Sequence, residues 1–408
     1  MAYDIVQTSF LLGMASNGAA GIWATQSELL GYLNTYLNGG TDPIGTHYDG
    51  FFPQMNSKLA GGDWSVVWGP CLYSERGDKP GEATNAMYVA YSPSLSTYVV
   101  AIAATNFLSI FDWLAEDFNV LPNYMAEWPL SVPFVQKSHW PWFWHVPPAI
   151  SAATALGVSD LLTKLTDSSK GTIQEFLTAT ANSTDTLIFA GHSLAGALSP
   201  TLAFYLYPHP AQSNWRQVLV LPTAGATPGN KKFAAAFNAA YPPVSSGVSA
   251  PYADWNTDYA NSHDAVPHAW NQLSLIVDSP DSQGNYPSMY GVLGPELGKS
   301  LYELIHVVEA GVAIGFYMNI TQSVYQPVWG KWSWTQNPDG SWQYPPKWEA
   351  APVYTDANPL ANPLGLLEMV QVTHVDQYQN FFGVVPAPRM PTSKPKSLAN
   401  EATKRVSF

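Results

Sequence analysis

Ser193 stands in the run TLIFAGHSLAGALSPTLAFYL, between Gly191 and Ala195. A serine hydroxyl is a weak nucleophile until a neighbouring imidazole takes its proton, and that imidazole must be oriented by a carboxylate. The chain offers both downstream: Asp264 in YADWNTDYANSHDAVPHAW and His374 in MVQVTHVDQYQNFFG. Three such groups, if brought together, would transfer an acyl group from an ester. An imidazole base must be neutral to work, so activity is expected to fall on the acid side, at roughly pH 6 to 7.

The elements around Ser193 suit that task. Leu187 to Ala190 are apolar, as in a buried strand, and Leu194 to Tyr205 carry apolar residues at helical spacing. The turn between them must be sharp, and the positions flanking the serine nearly free of side chains, a need that Gly191 and Ala195 meet; Gly196 and Ala197 further on are small as well. The N–H of Leu194 then lies at a helix N-terminus, where unpaired donors and the helix dipole favour an oxyanion. The G-x-S-x-[GA] pattern also arises by chance, and a tight turn with a solvent-facing serine is the plain alternative. That alternative needs no partners.

Asp264 follows a short strand candidate and precedes Val266 and Pro267, a loop position suited to catalysis. Asp254 and Asp258 compete, but read as turn formers. His263 and His268 flank Asp264, yet Pro267 breaks their helical spacing, so no metal site is expected, nor any other cofactor. His374 comes late in the chain after an alternating apolar stretch. Its rival, His306, falls inside the apolar helix candidate Leu301 to Ile320 and reads as a core histidine. His139 and His145 read as surface or hinge residues. A second oxyanion donor should follow an earlier strand. Thr97 to Ala104 is such a strand, and Thr105 comes next. A strand-ending threonine without a role is the competing reading.

Helical patterns cover Ile5 to Ala15 and Gln26 to Leu37, and read as a cap on the first strands. Met87 to Tyr91 and Thr97 to Ala104 flank SPSLS as a hairpin, near which the sheet should begin. Helices at about Ile150 to Thr166 and Gly171 to Ala181, a strand at Val218 to Pro222 and a helix at Lys231 to Ala240 follow. Strands alternating with helices imply an α/β fold with a mainly parallel sheet covered on both faces. Two Trp-rich clusters interrupt the pattern. EWPLSVPFVQKSHWPWFWHVPP is too broken by prolines to be a regular element. Its Trp128, Trp140, Trp142 and Trp144 are candidates for holding an apolar substrate, against a loop glued down by aromatic burial. In VWGKWSWTQNPDGSWQYPPKW, NPDG separates two aromatic segments as a hairpin would, with Trp332, Trp334, Trp342 and Tyr344 sharing faces.

The 408 residues are 46% hydrophobic and 12% charged, enough for one large core. A net charge of -13 argues against nucleic acid as a partner. Arg389, Lys394, Lys396, Lys404 and Arg405 crowd the last twenty positions, which read as a flexible tail. One cysteine, Cys71, leaves no intrachain disulfide. The first residues carry Asp4 and no basic region, so no secretory signal is expected and an intracellular site is favoured over a mature secreted form. No membrane span is expected, since Glu303, His306 and Glu309 interrupt the longest apolar stretch.

GHSLAG, NSHDAVPH and HVDQY, in that order, resemble the class 3, or fungal-type, lipase family over about Met87 to Gly383. The resemblance implies an α/β-hydrolase fold acting on acylglycerols or other carboxylic esters, presented at a lipid-water interface, with a mobile lid. It implies Ser193 as nucleophile, Asp264 as acid, His374 as base and Thr105, with the N–H of Leu194, at the oxyanion. Ala103 and Ala104 replace the family's usual Arg-Gly pair, and Ala195 its usual glycine. The expected organisation is one hydrolase domain over 1–385, with an N-terminal helical cap at 1–62, a lid or insertion at 107–148 and a Trp-rich hairpin at 321–350. Residues 386–408 form the tail. Stacking on tryptophan would also suit an esterase for hydroxycinnamoyl-type aromatic esters. A different class is an inactive lipid- or sugar-binding protein on a hydrolase scaffold, which Ser193→Ala would tell apart from an enzyme.

Overall fold

The computed structural model describes residues 2–103, 125–135, 147–312, 316–335, 338, 343 and 345–386. Its centre is a seven-stranded sheet, β1 (Ser65–Tyr73), β2 (Asn85–Ser92), β3 (Thr97–Ile102), β4 (Thr186–His192), β5 (Gln217–Thr223), β6 (Asp258–Asn261) and β7 (Gln322–Tyr325). The strands lie side by side in chain order. β1, β2 and β3 form an antiparallel meander, while β3 to β7 are parallel.

Parallel strands laid down in chain order, with right-handed crossovers, send their connecting helices to one face. That face carries α3 (Ala152–Thr163), α4 (Ile173–Thr180), α5 (Leu194–Leu206) and α6 (Lys231–Ala240). Their Val158, Phe176, Leu198, Phe204 and Phe233 form one core with Leu187 and Phe189 of β4. The opposite face must be covered from elsewhere. The first helices, α1 (Ile5–Ala15) and α2 (Gln26–Asn38), and segments late in the chain supply that cover. Phe10 and Leu11 meet Ile188, Ala190 and Phe382 there. β4, buried along its whole length, alternates its side chains between these two cores.

Several helix starts are chemically marked. Asp4, Thr25 and Thr172 close capping boxes on Gln7, Glu28 and Glu175. After β6 come the short α7 (Ala265–His268) and the long α8 (Pro295–Val312), and the chain closes with α9 (Pro363–Gln371), a π-helical turn (Val372–Asp376) and α10 (Gln377–Phe381).

Four sequence expectations change. The sheet begins one strand earlier than expected, at β1, whose Gly69 and Pro70 hid it among breakers. The two N-terminal helices have the expected bounds to within a residue, but α1 lies flat on β4 and β3 as a layer helix. The MVQVT stretch before His374 is helical, with Leu366, Met369 and Val370 packed against α8 and the Asp264 turn. The second Trp-rich run does form an antiparallel ribbon, β8 (Lys331–Ser333) with β9 (Lys347–Glu349). Its return strand comes later than the NPDG turn implied, so Trp332 faces Trp348, with ring centroids 5.1 Å apart. Trp342 and Tyr344 lie outside the described residues. No helix among the described residues is long and apolar enough to cross a membrane.

Candidate active site

Ser193 caps the N-terminus of α5 with φ 65° and ψ -131°, left-handed backbone that costs an L-residue about 1–3 kcal/mol. The surrounding contacts hold it there. Its N–H donates to the Thr223 carbonyl at 2.9 Å, extending the β4–β5 ladder past the strand end, and its carbonyl accepts from Gly196 N–H at 2.8 Å. Gly191 is obligatory, since a Cβ there would lie 2.2 Å from the Ala195 carbonyl oxygen. The second tight approach falls on Gly196, where a Cβ would sit 2.6 Å from the Thr223 carbonyl oxygen. Ala195 is fully buried in the core of the crossover face and tolerates its methyl. Leu194 is the first residue of α5, which puts its N–H beside the serine with no turn of helix before it to bond.

Asp264 is the N-cap of α7 and wholly buried. Its Oδ1 accepts from Val266 N–H at 3.1 Å. Its Oδ2 accepts from His374 Nδ1 at 2.8 Å and from the Tyr378 hydroxyl at 2.9 Å. A carboxylate can only accept, so His374 carries its proton on Nδ1 and presents Nε2 as the basic nitrogen. Burial raises the Tyr378 phenol well above its ordinary value, and the charge of Asp264 adds to the effect, so the hydroxyl stays a donor. The same hydroxyl accepts from Asn261 N–H at 2.9 Å. His374 lies in the π-helical turn, where the widened spiral brings it and Tyr378 to one carboxylate.

His192, the residue before the serine, ties the two halves together. Its Nε2 lies 2.6 Å from the His374 carbonyl oxygen, an acceptor, so Nε2 donates. Its Nδ1 then accepts from the Thr223 hydroxyl at 2.9 Å. Burial, together with the neighbouring His374, holds its pKa well below the ordinary value, which keeps the ring neutral as this chain of bonds requires. The His192 and His374 rings are 4.8 Å apart. Asn261 adds a further tie, donating from Nδ2 to the Thr373 carbonyl at 2.8 Å.

Ser193, Leu194, Asp264 and His374 are thus brought together at the C-terminal ends of β4 and β6. Trp128 is not. Its ring stacks on Phe204 at 5.1 Å and abuts Phe233, filling the groove between α5 and α6, roughly 16 Å along α5 from the serine. Thr105, Trp140, Trp142 and Trp144 lie outside the described residues, as do His139 and His145. β3 nevertheless ends with Ile102 paired to Gly191, so the chain leaves toward the serine turn. His306 is exposed on α8, its ring 3.9 Å from that of Tyr302, and is no core histidine. Asp258 is not a turn former but a buried strand residue. Among the described residues no group of three His, Cys, Asp or Glu side chains could hold a metal. An apolar pocket lined by Ala265, Leu273, Ile276, Tyr290, Leu301 and Ile305 adjoins the Asp264 turn.

Comparisons with known proteins bear on this arrangement. The profile of the family described as Lipase (class 3) matches residues 99–273, a stretch that spans β3, Ser193 and Asp264. Over that stretch the chain is similar to the class 3 lipase family. It is a lipase-like carboxylic ester hydrolase. The solved structure of M37 lipase is similar over 94% of both chains, with a TM-score of 0.61 and 24% identity, which supports the shared fold. Rhizomucor miehei triacylglyceride lipase, at 16% identity, is similar over 50% of this chain and 60% of its own, with a TM-score of 0.33. Yarrowia lipolytica Lip2 lipase, at 12% identity, covers 75% and 77%, with a TM-score of 0.37. A comparison with curated proteins found no match.

Proposed function

We propose that this protein is a lipase of the class 3 type that cleaves esters of apolar acyl groups, acylglycerols among them, through an acyl-enzyme on Ser193. The Ser193 hydroxyl attacks the ester carbonyl as His374 Nε2 takes its proton. The alkoxide leaves with that proton, and water, deprotonated by the same nitrogen, then releases the acid. Asp264 holds the imidazole in the productive tautomer and offsets the imidazolium charge. The N–H of Leu194 and that of Thr105 receive the oxyanion.

The observation that carries this reading is the buried 2.8 Å contact between His374 Nδ1 and Asp264 Oδ2, linked through His192 to a left-handed Ser193. The low charge of the chain supports hydrocarbon as the acyl group. Trp140, Trp142 and Trp144 belong, in this reading, to a lid or insertion over 107–148 of a single hydrolase domain at 1–385.

A serine-directed alkyl phosphonate, with the adduct mapped by mass spectrometry, tests the nucleophile without choosing a substrate. Modification of Ser193, and loss of turnover by at least about 10³-fold in Ser193→Ala, is the expected result. Undiminished ester hydrolysis by Ser193→Ala would sink the proposal.

A further inference from the structure

Asp258 opens β6 and is 3% exposed, yet it has no salt-bridge partner among the described residues. Two N–H donors face its carboxylate instead. Gly225 N–H donates to Oδ1 at 3.1 Å, and Gln322 Nε2 donates to Oδ2 at 2.9 Å. Each contact leads to one side of the site. Gly225 lies in the turn after β5, backbone against backbone with Gly196: a Cβ on Gly225 would stand 2.9 Å from the Gly196 carbonyl oxygen. Gly196 in turn donates to the Ser193 carbonyl. On the other side, Gln322 Oε1 accepts from Asn319 Nδ2 at 3.0 Å, and the same Nδ2 reaches the Pro267 carbonyl at 3.3 Å, in the short helix that Asp264 caps. The Thr227 hydroxyl donates to Asn319 Oδ1 and closes the network.

We propose that Asp258 is a positioning residue of the hydrolase site, its carboxylate coupling the turn that braces Ser193 to the helix that carries Asp264. The inference rests on the hydrolase reading above. Asp258 touches no reacting atom. It acts through Gly225 and Gln322, so its ionisation state sets how firmly the two halves are held. An ionised acceptor makes bonds roughly twice as strong as a neutral one. Burial above all, and the charge of Asp264 in addition, push the Asp258 carboxyl up to about 7. The grip therefore tightens as pH rises through neutrality. The titratable groups that face this region are Asp264 on its turn, His374 on the π-helical turn, Tyr378 on α10 and Tyr325 on β7; the turn after β5 and the start of α5 contribute only neutral groups.

The test compares kcat/KM of the wild type with Asp258→Asn on a soluble short-chain ester between about pH 5.5 and 8.5. Asparagine keeps the shape and the Gly225 bond but cannot ionise. Both enzymes share the imidazole limb, so the ratio isolates Asp258. It is expected to fall from about tenfold at the alkaline end to about one at the acid end, with kcat changing and KM steady. Gln322→Met, which keeps the carboxylate but cuts its link to Asn319, should show the same pH-dependent ratio and serves if the first variant folds poorly. A ratio that stays flat with pH overturns the proposal, whether near one or uniformly lowered, since a merely structural loss would not track pH. Phosphonate labelling of Ser193 in each variant separates the two readings. Labelling with a flat ratio rejects the role of Asp258 alone, whereas no labelling in the wild type rejects the nucleophile itself.

Discussion

Replacing Tyr378 by phenylalanine removes one oxygen from a site where that oxygen makes two bonds. The hydroxyl donates to Asp264 Oδ2 at 2.9 Å and accepts from Asn261 N–H at 2.9 Å, and both tyrosine and asparagine are fully buried. A bond to a charged group contributes about 1.5–3 kcal/mol, and an orphaned buried N–H costs about 1–3 kcal/mol. The variant should therefore lose roughly 2.5–6 kcal/mol of stability, measurable as a lower guanidinium midpoint with an unchanged slope. The catalytic effect is separate. Asp264 keeps Val266 N–H and His374 but gains freedom to turn away from the imidazole, so kcat should fall about 10- to 100-fold while KM stays within about twofold. Burst kinetics on a p-nitrophenyl ester, with stability read on the same preparation, supply both numbers. A variant with wild-type kcat and an unchanged midpoint would refute the claim that this hydroxyl holds the acid in place.

Gly196→Ala adds a methyl 2.6 Å from the Thr223 carbonyl oxygen and 2.7 Å from Gly225 Cα, both backbone, so the turn must move. Destabilisation of about 1–3 kcal/mol, with loss of phosphonate labelling at Ser193, is expected from thermal unfolding and mass spectrometry. Asp258 makes stability depend on pH with a definite sign. Its folded carboxyl titrates at about 7 against an ordinary 3.8, so the folded state holds the extra proton in between. Stability from this group is therefore complete below about pH 4 and declines as pH rises to about 7, by at most ~4 kcal/mol. Asp258→Asn should flatten that part of the curve in denaturant titrations; an unaltered pH slope would show that the carboxyl titrates elsewhere.

The nucleophile turn was legible because its demands are local: a strand, a sharp turn and a helix succeed one another in one run of sequence. Even so, the steric reading placed the need for a small residue on Ala195, whereas Gly196 makes the second close approach, since the demand comes from β5 across the sheet. Asp264 and His374 were found by type, order and setting, but the setting of His374 was misread. MVQV alternates like a strand, yet a helix face packed on one side satisfies the same four letters. His192, Thr223, Asn261 and Asp258 were passed over or misassigned because their roles exist only between distant elements. The one signal for His192 was its place beside the serine. Asp258 looked like a turn former because Asp, Asn and Thr cluster in DWNTDYAN, and nothing in that string tells that Gln322 pairs with it from the next strand.

The face of the sheet left bare by the crossovers is closed by α1 and α10 leaning on each other. Phe10 stacks on Phe382 at 4.3 Å, Gln7 Nε2 donates to the Phe382 carbonyl at 2.8 Å, and Phe10 also meets His192 edge-on. During synthesis α1 emerges before α10 and waits for its partner while some 370 residues are made, about 20 to 75 seconds at ordinary translation rates. Until then its apolar side has half a cover, and Ser193 sits in its turn without His374 beside it. In the proposed mechanism the serine therefore gains its base only when the His374 turn and α10 dock, so the step that covers this face of the sheet also completes the site.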